Sequence, residues 1–209
     1  MKKFELTTDF ITIGSKKLFR IKSLVNFGNV REGELGGYIE KVENLSQDGD
    51  AWVYDNAMVY GDAVISGNAR VYGDARVHGD AWVHGDAWVC DNARVYGDVE
   101  VYGNTWVYDN AVISGDAVIS GDAVISGDAE VYDNADYATI KGFGTQFRNT
   151  TFFRCKDGTV RVSFGCFLGT IPEFREQVNK TRDGKIAKEY QLIADLMEYH
   201  FNKEEQRKA

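Results

Sequence analysis

The 209-residue chain carries 24 Lys and Arg against 32 Asp and Glu, a formal net charge of −8, with a sequence pI near 5.0. That balance argues against direct nucleic-acid binding, which requires a basic surface, and no apolar run approaches the length that spans a bilayer. Three cysteines, odd in number and without metal-type pair spacing, argue against a disulfide framework or a metal site and point to free thiols in a reducing compartment.

The N-terminus, Met1-Lys2-Lys3-Phe4-Glu5-Leu6, has no signal-peptide core, so the expected location is the cytoplasm. Residues 4 to 24 read as two short strands, Phe4 to Ile13 and Lys17 to Leu24, about Gly14-Ser15. Gly36-Gly37-Tyr38 then leads through Leu45-Ser46-Gln47 into a repeat whose open end would expose core and unpaired strand backbone. Residues 1–48 are therefore expected to form an N-terminal β cap.

From Gly49 to about Ala138 the sequence repeats every six residues without insertion or deletion, fifteen units over 90 residues. Gly61-Asp62-Ala63-Val64-Ile65-Ser66 and Gly73-Asp74-Ala75-Arg76-Val77-His78 are typical units, and the aliphatic position runs unbroken from Val53 to Val131. The Ala and the aliphatic residue lie two apart, so they share one side of an extended segment. The following Gly/Asp and Asp/Asn supply a corner, because these residues tolerate positive φ. Strands this short bury a face only by stacking coil upon coil around a shared core.

These residues resemble the hexapeptide-repeat proteins, whose pattern is an aliphatic residue, two turn positions and a small residue. The resemblance covers residues 49–138 and implies a mainly β fold, a left-handed parallel β-helix of about five coils with three hexads per coil. The family often has Gly just after the aliphatic residue, where this chain has Tyr, His, Ser or Cys. With three hexads per coil, Trp52, Arg70, Trp88, Trp106 and Val124 stack in one outward column, and Tyr54, Tyr72, Cys90, Tyr108 and Ser126 in its neighbour. A wall this apolar implies a partner, so Trp52, Tyr54, Tyr72, Trp88, Trp106 and Tyr108 are expected at a subunit interface. The resemblance implies a homotrimer; the alternative is a column of stacked, partly exposed rings without a partner.

Charge is uneven along the chain. The repeat carries 16 acidic residues against three Arg, or −13, while residues 139–209 balance at +4 and residues 1–48 at +1. An edge such as Asp62, Asp80, Asp98 and Asp116 could hold cations or imitate a phosphate backbone. Asp is also simply a good corner residue, and Asn replaces it on the other two edges.

Residues 139–171 read as a basic β-hairpin segment. Lys141-Gly142-Phe143-Gly144 leads through Arg148 into Thr150 to Lys156, Asp157-Gly158 reads as a two-residue turn, and Thr159 to Leu168 returns. That register sets Arg154 opposite Arg161, Cys155 opposite Val160, Phe153 opposite Val162 and Phe152 opposite Ser163. One side, with Thr151, Phe153, Cys155, Val160, Val162 and Phe164, is expected to be core. Like charges in a cross-strand pair are unfavourable, so the other side is expected to hold an anion between the arginines. Arg148, Phe152, Arg154, Lys156, Thr159, Arg161 and Ser163 thus form a candidate nucleotide or phosphate-ester site; the competing reading is a solvated face whose arginines are neutralised by acidic neighbours.

In residues 172–209 two helices are expected. Thr170-Ile171-Pro172-Glu173 is a capping box opening the first, to about Val178. The second runs from Lys185 to about Asn202, with an apolar stripe of Ile186, Tyr190, Ile193, Met197 and Phe201 expected to pack as core. The stretch from Gly144 through Arg148-Asn149-Thr150 to Pro172-Glu173-Phe174 is similar to the end of hexapeptide-repeat proteins borne by phages and prophages of Gram-positive bacteria. That similarity implies a phage accessory role and supplies no catalytic residues.

The expected function is that of a non-enzymatic binding protein without a cofactor. It would interfere with a host defence by sequestering a nucleotide signal, or by occupying a host defence protein, through C-terminal sites at or between subunits. A CoA-dependent acyltransferase is the alternative that the hexapeptide-repeat resemblance implies. His78 and His84 sit at ordinary repeat positions and His200 late in the terminal helix, with no inserted loop to shape a substrate pocket. A structural scaffold and an acidic DNA mimic are further alternatives.

Overall fold

The computed structural model describes residues 2–202, so residues 203–209 of the expected helical segment lie outside the described residues. The chain divides into two compact units, one up to Asp133 and one from Asn134 on.

In the first unit each hexad contributes one short strand, from β4 (Trp52–Val53) to β17 (Glu130–Val131). Strands one coil apart pair in parallel: Trp52 lies beside Arg70, Arg70 beside Trp88, Trp88 beside Trp106 and Trp106 beside Val124. Three hexads therefore make one coil, and three parallel sheets enclose the core of a β-solenoid of about five turns. The small and aliphatic positions from Ala51 to Val131 are buried, each Val or Ile contributing roughly 1.5–3 kcal/mol. Thr105 stands where most units have Ala; it is buried, and its hydroxyl donates to the Tyr102 carbonyl at 2.7 Å, which removes the penalty of burying it.

Corner chemistry explains the substitutions within the repeat. Asp55, Asp91 and Asp109 take the left-handed conformation otherwise held by Gly, with φ of 52°, 59° and 60°. Their Oδ2 atoms accept from the N–H groups of Gly73, Asp109 and Gly127, one coil on, at 3.2, 3.3 and 3.0 Å. That bond offsets the roughly 1–2 kcal/mol that αL costs a residue with a Cβ. On another corner Asp50, Asn68, Asp86, Asn104 and Asp122 alternate acid with amide. Asn68 Nδ2 donates to Asp86 Oδ1 at 3.0 Å and Asn104 Nδ2 to Asp122 Oδ1 at 3.1 Å, so a hydrogen bond stands where two like charges would face each other.

The N-terminal strands pair onto the first coils of the solenoid. Strands β1 (Phe4–Ile13), β2 (Lys16–Ser23) and β3 (Leu35–Ile39) run antiparallel, and Tyr38 and Ile39 then pair in parallel with Met58 and Val59. One solenoid sheet is thereby closed by a main-chain strand. Gly36 and Gly37 permit the approach, since a Cβ at either would lie 2.5 Å from the carbonyl of Val53 or Ala57. On the second sheet Leu45 bridges Ile65 in parallel, with Ser46 N donating to the Ile65 carbonyl at 2.8 Å, and side chains close what remains. Asn44 Nδ2 donates to the Gly61 and Ala63 carbonyls at 3.0 and 2.8 Å, and Lys3 Nζ to those of Gly49 and Ala51 at 3.3 and 3.1 Å. A strand, a single bridge with the Asn44 amide, and an ammonium thus block the three edges at this end against further pairing. Lys3 is only 4% exposed, and burial pulls its ammonium down to about 8, against the opposing pull of Asp50 and Asp48.

The cap also corrects one expectation. Trp52 occupies an outward repeat position but is fully buried, because Phe4 and Phe27 pack edge-on against it at 6.2 and 5.4 Å. It is not available to an interface. The rest of the wall is a ladder of rings: Tyr54 stacks on Tyr72 at 4.4 Å, Trp88 on Trp106 at 4.8 Å, and the Arg70 guanidinium lies over Trp88 at 5.2 Å. Tyr108 is half-buried in the same wall.

The expected last hexad, Asp133 to Ala138, does not form a coil. Its end opens β18 (Tyr137–Ile140) of the second unit, where β18, β19 (Thr150–Arg154), β20 (Val160–Phe164) and β21 (Phe167–Thr170) make an antiparallel sheet in that order. Helix α1 (Ile171–Thr181) begins with the expected capping box: Thr170 Oγ1 accepts from Glu173 N, and the Glu173 carboxylate accepts from Thr170 N at 2.7 Å. Helix α2 (Gly184–His200) follows. Tyr190, Ile193, Met197 and Phe201 pack with Phe152, Val162, Phe174 and Val178 into one core, with Ile186 at its margin.

Candidate functional site

The hairpin differs from the expected one by a single residue, with large consequences. Cys155 N donates to Thr159 O, and Gly158 N to Cys155 O, each at 2.9 Å. The loop is therefore three residues, Lys156-Asp157-Gly158, with Gly158 at φ 80°, the arrangement of a type I turn followed by a bulge glycine. The pairs become Arg154 with Val160, Phe153 with Arg161, Phe152 with Val162 and Thr151 with Ser163. A one-residue slip exchanges the faces, so Arg154 and Arg161 point to opposite sides of the sheet.

The expected site residues accordingly scatter. Phe152 is in the core of the unit, edge-on to Phe174 at 6.0 Å. Arg154 is buried: its Nε meets Asp136 Oδ1 at 2.9 Å, an Nη donates to the Phe201 carbonyl at 2.8 Å, and the guanidinium lies over the Phe201 ring. It is a clamp on the C-terminal end of α2, where a cation favours the helix dipole. Lys156 and Thr159 are exposed in and beside the loop, and Thr159 bonds Asp157 through both its N–H and its hydroxyl. Arg161, half-buried, has Asp157 at 3.9 Å, and Ser163 is buried on the face opposite Phe152. Of the expected set, Arg148 lines the cavity of this second unit and the others do not.

That cavity, of about 350 Å³, lies wholly within the second unit. One wall is the loop Phe143-Gly144-Thr145-Gln146 with Arg148. A second is the tight turn Phe164-Gly165-Cys166-Phe167, and the third is the end of α1, with Gln177, Thr181 and Arg182, together with Tyr190 of α2. Local chemistry holds these parts in place. Tyr190 donates its hydroxyl to the Phe143 carbonyl at 3.2 Å, and Gly144 leaves room for that ring, since a Cβ there would lie 2.5 Å from the Tyr190 oxygen. Burial raises the Tyr190 phenol above its ordinary range, keeping it a donor. Gly165, at φ 60°, lets Arg148 lie across the turn, with Nη1 3.1 Å from where a Cβ would stand.

The lining has four aromatic rings, two guanidiniums and no carboxylate. Among the described residues Arg148 has no hydrogen bond or ion pair. Arg182 makes one side-chain bond, to the Thr181 carbonyl at 2.8 Å. Two cations unanswered by an acid in a concave, ring-lined space suit an anion carrying a planar group. Sequence reading missed Arg182, Gln177 and Tyr190, which lie far along the chain from Arg148. The glycines at 142, 144 and 165 were the one local signal of a backbone shaped around something.

The histidines stand elsewhere. His78 is stacked between Tyr60 and Tyr96 at 4.7 and 5.0 Å, and His84 between Trp82 and Tyr102, with Nε2 2.9 Å from Glu100 Oε1. No histidine lines the cavity. Among the described residues no helix is long and apolar enough to cross a membrane.

No curated protein matches the chain. A family model described as the YdcK beta solenoid repeat matches residues 51–67, 65–79 and 69–85, within the solenoid and outside the unit that holds the cavity.

Proposed function

We propose that this chain is a binding protein that takes up a phosphate-bearing small molecule of nucleotide type in the cavity of its C-terminal unit. One observation carries the reading: Arg148 and Arg182 line a cavity that holds four aromatic rings and no acid. The guanidiniums would hold the phosphate, and the rings would pack against the base. Sequestration, rather than turnover, is the preferred role, because none of the histidines an acyl-transfer mechanism would use lines the cavity: His78 and His84 stand in ring stacks on the solenoid and His200 ends α2. In the phage setting that the C-terminal resemblance implies, the natural target is a nucleotide signal of the host's defence.

Calorimetric titration with mono-, di- and cyclic nucleotides tests this. Arg148→Ala and Arg182→Ala should each weaken binding roughly tenfold or more, from about 1.5–3 kcal/mol per charge-assisted contact, with the fold unchanged. If no nucleotide binds the unaltered protein, or if both variants bind as well as it does, the reading is wrong.

A further inference from the structure

We infer that the solenoid sheet bearing Arg76 and Arg94 is a docking face for the aspartate-lined corner of a second copy of this chain. Arg76–Gly79 and Arg94–Gly97 are four-residue strands among two-residue neighbours, and they pair in register, Arg76 beside Arg94 and His78 beside Tyr96. The two arginines thus stand one coil apart on one face, about 4.8 Å at the backbone. Both are exposed, and neither has an ion pair or hydrogen bond through its side chain among the described residues. Like charges side by side are unfavourable, yet among the described residues none of the repeat's 16 acids forms an ion pair with either arginine.

The surroundings suit a buried contact better than a dissolved ion. Met58 and Val112, half-buried, flank the arginines in the same column. Beside them Tyr60, His78 and Tyr96 form a half-buried ring stack. Burial, then Arg76 and Arg94, lower the His78 imidazole below its ordinary value, so it adds no third positive charge at neutral pH.

The occupant follows from spacing and charge. Asp80, Asp98 and Asp116 repeat along one corner at the same one-coil rise and are exposed, with no side-chain partner among the described residues; Asp62, next in the column, is taken by Lys41. The same repeat generates both ladders, so two successive guanidiniums meet two successive carboxylates at once. A long polyanion is disfavoured by the −13 of the surrounding repeat. The contact joins a face to a corner, a heterologous interface separate from the Trp88–Trp106 wall.

Sedimentation of the full chain at about 50 mM and about 500 mM salt tests this, since screening at the higher level reaches within a few Å. The unaltered protein should exceed the monomer mass at low salt and fall toward it at high salt. Arg76→Glu/Arg94→Glu and Asp80→Lys/Asp98→Lys should each lose association by about tenfold or more, and mixing the two variants should restore it. Circular dichroism checks that each keeps its fold, and the milder Arg76→Gln/Arg94→Gln should weaken association in the same direction. A monomer at low salt, variants that associate like the unaltered protein, or a mixture that stays monomeric would each overturn the inference.

Discussion

Lys3 lends itself to a quantitative test because one buried charge closes one edge of the solenoid. Its ammonium donates to the Gly49 and Ala51 carbonyls and falls from an ordinary 10.5 to about 8, which corresponds to about 3 kcal/mol. Below pH 8 the lysine is protonated in folded and unfolded chains alike, and the folded state bears the full cost of burying the charge. Between pH 8 and 10.5 the unfolded chain keeps a proton that the folded one has released, so stability rises with pH and then levels off. Two groups oppose it: burial raises the Cys90 thiol from 9.0 to about 11 and the Tyr54 phenol from 10.0 to about 12. Their contributions fall as pH passes 9 and 10. Comparison with Lys3→Met, which keeps the length and removes the titration, isolates the lysine. The unfolding free energy of the unaltered protein, relative to that variant, should grow by about 3 kcal/mol between about pH 7.5 and 10.5. Urea titration followed by tryptophan fluorescence measures it, since Trp52 lies under the same cap. A difference that stays flat across this range would refute the buried-ammonium account.

Arg154→Ala should lower the thermal stability of the C-terminal unit by about 3 kcal/mol or more, since it removes one member of a buried pair, and scanning calorimetry reads the loss. Without ligand this loss should be as large as with it, which separates a clamp from a binding residue. Gly37→Ala should destabilise the solenoid by at least about 1–3 kcal/mol, because its Cβ would lie 2.5 Å from the Ala57 carbonyl; a denaturant midpoint like that of the unaltered protein would show that the cap accommodates it.

The solenoid was legible because its period is local and uninterrupted. Ala63 and Ile65 could only point one way, and corner residues such as Asp55 announced positive φ by type. The capping box at Thr170 and the stripe from Ile186 to Phe201 were equally local. Trp52 was misassigned because the residues that cover it, Phe4 and Phe27, belong to no repeat. The hairpin failed on parity: Asp157-Gly158 marks a turn, but the residue type does not say whether Gly158 is the second residue of a two-residue loop or the bulge of a three-residue one. That one residue moved Arg154 from an imagined anion site to the end of α2. The cavity was invisible for another reason, since Arg148, Phe164, Arg182 and Tyr190 meet only once the sheet and both helices are packed.

The alternation of Asp50, Asn68, Asp86, Asn104 and Asp122 gives this solenoid a grammar of length. Loss of the single coil 68–85 would bring Asp50 directly against Asp86, carboxylate on carboxylate. Loss of the two coils 68–103 would set Asp50 against Asn104 and preserve the alternation. A ruler written in one-coil steps can therefore be shortened or extended along this edge only in pairs of coils without disturbing its charge pattern. Relatives of different length are expected to differ by 36 residues more readily than by 18, a preference that a survey of solenoid lengths can count.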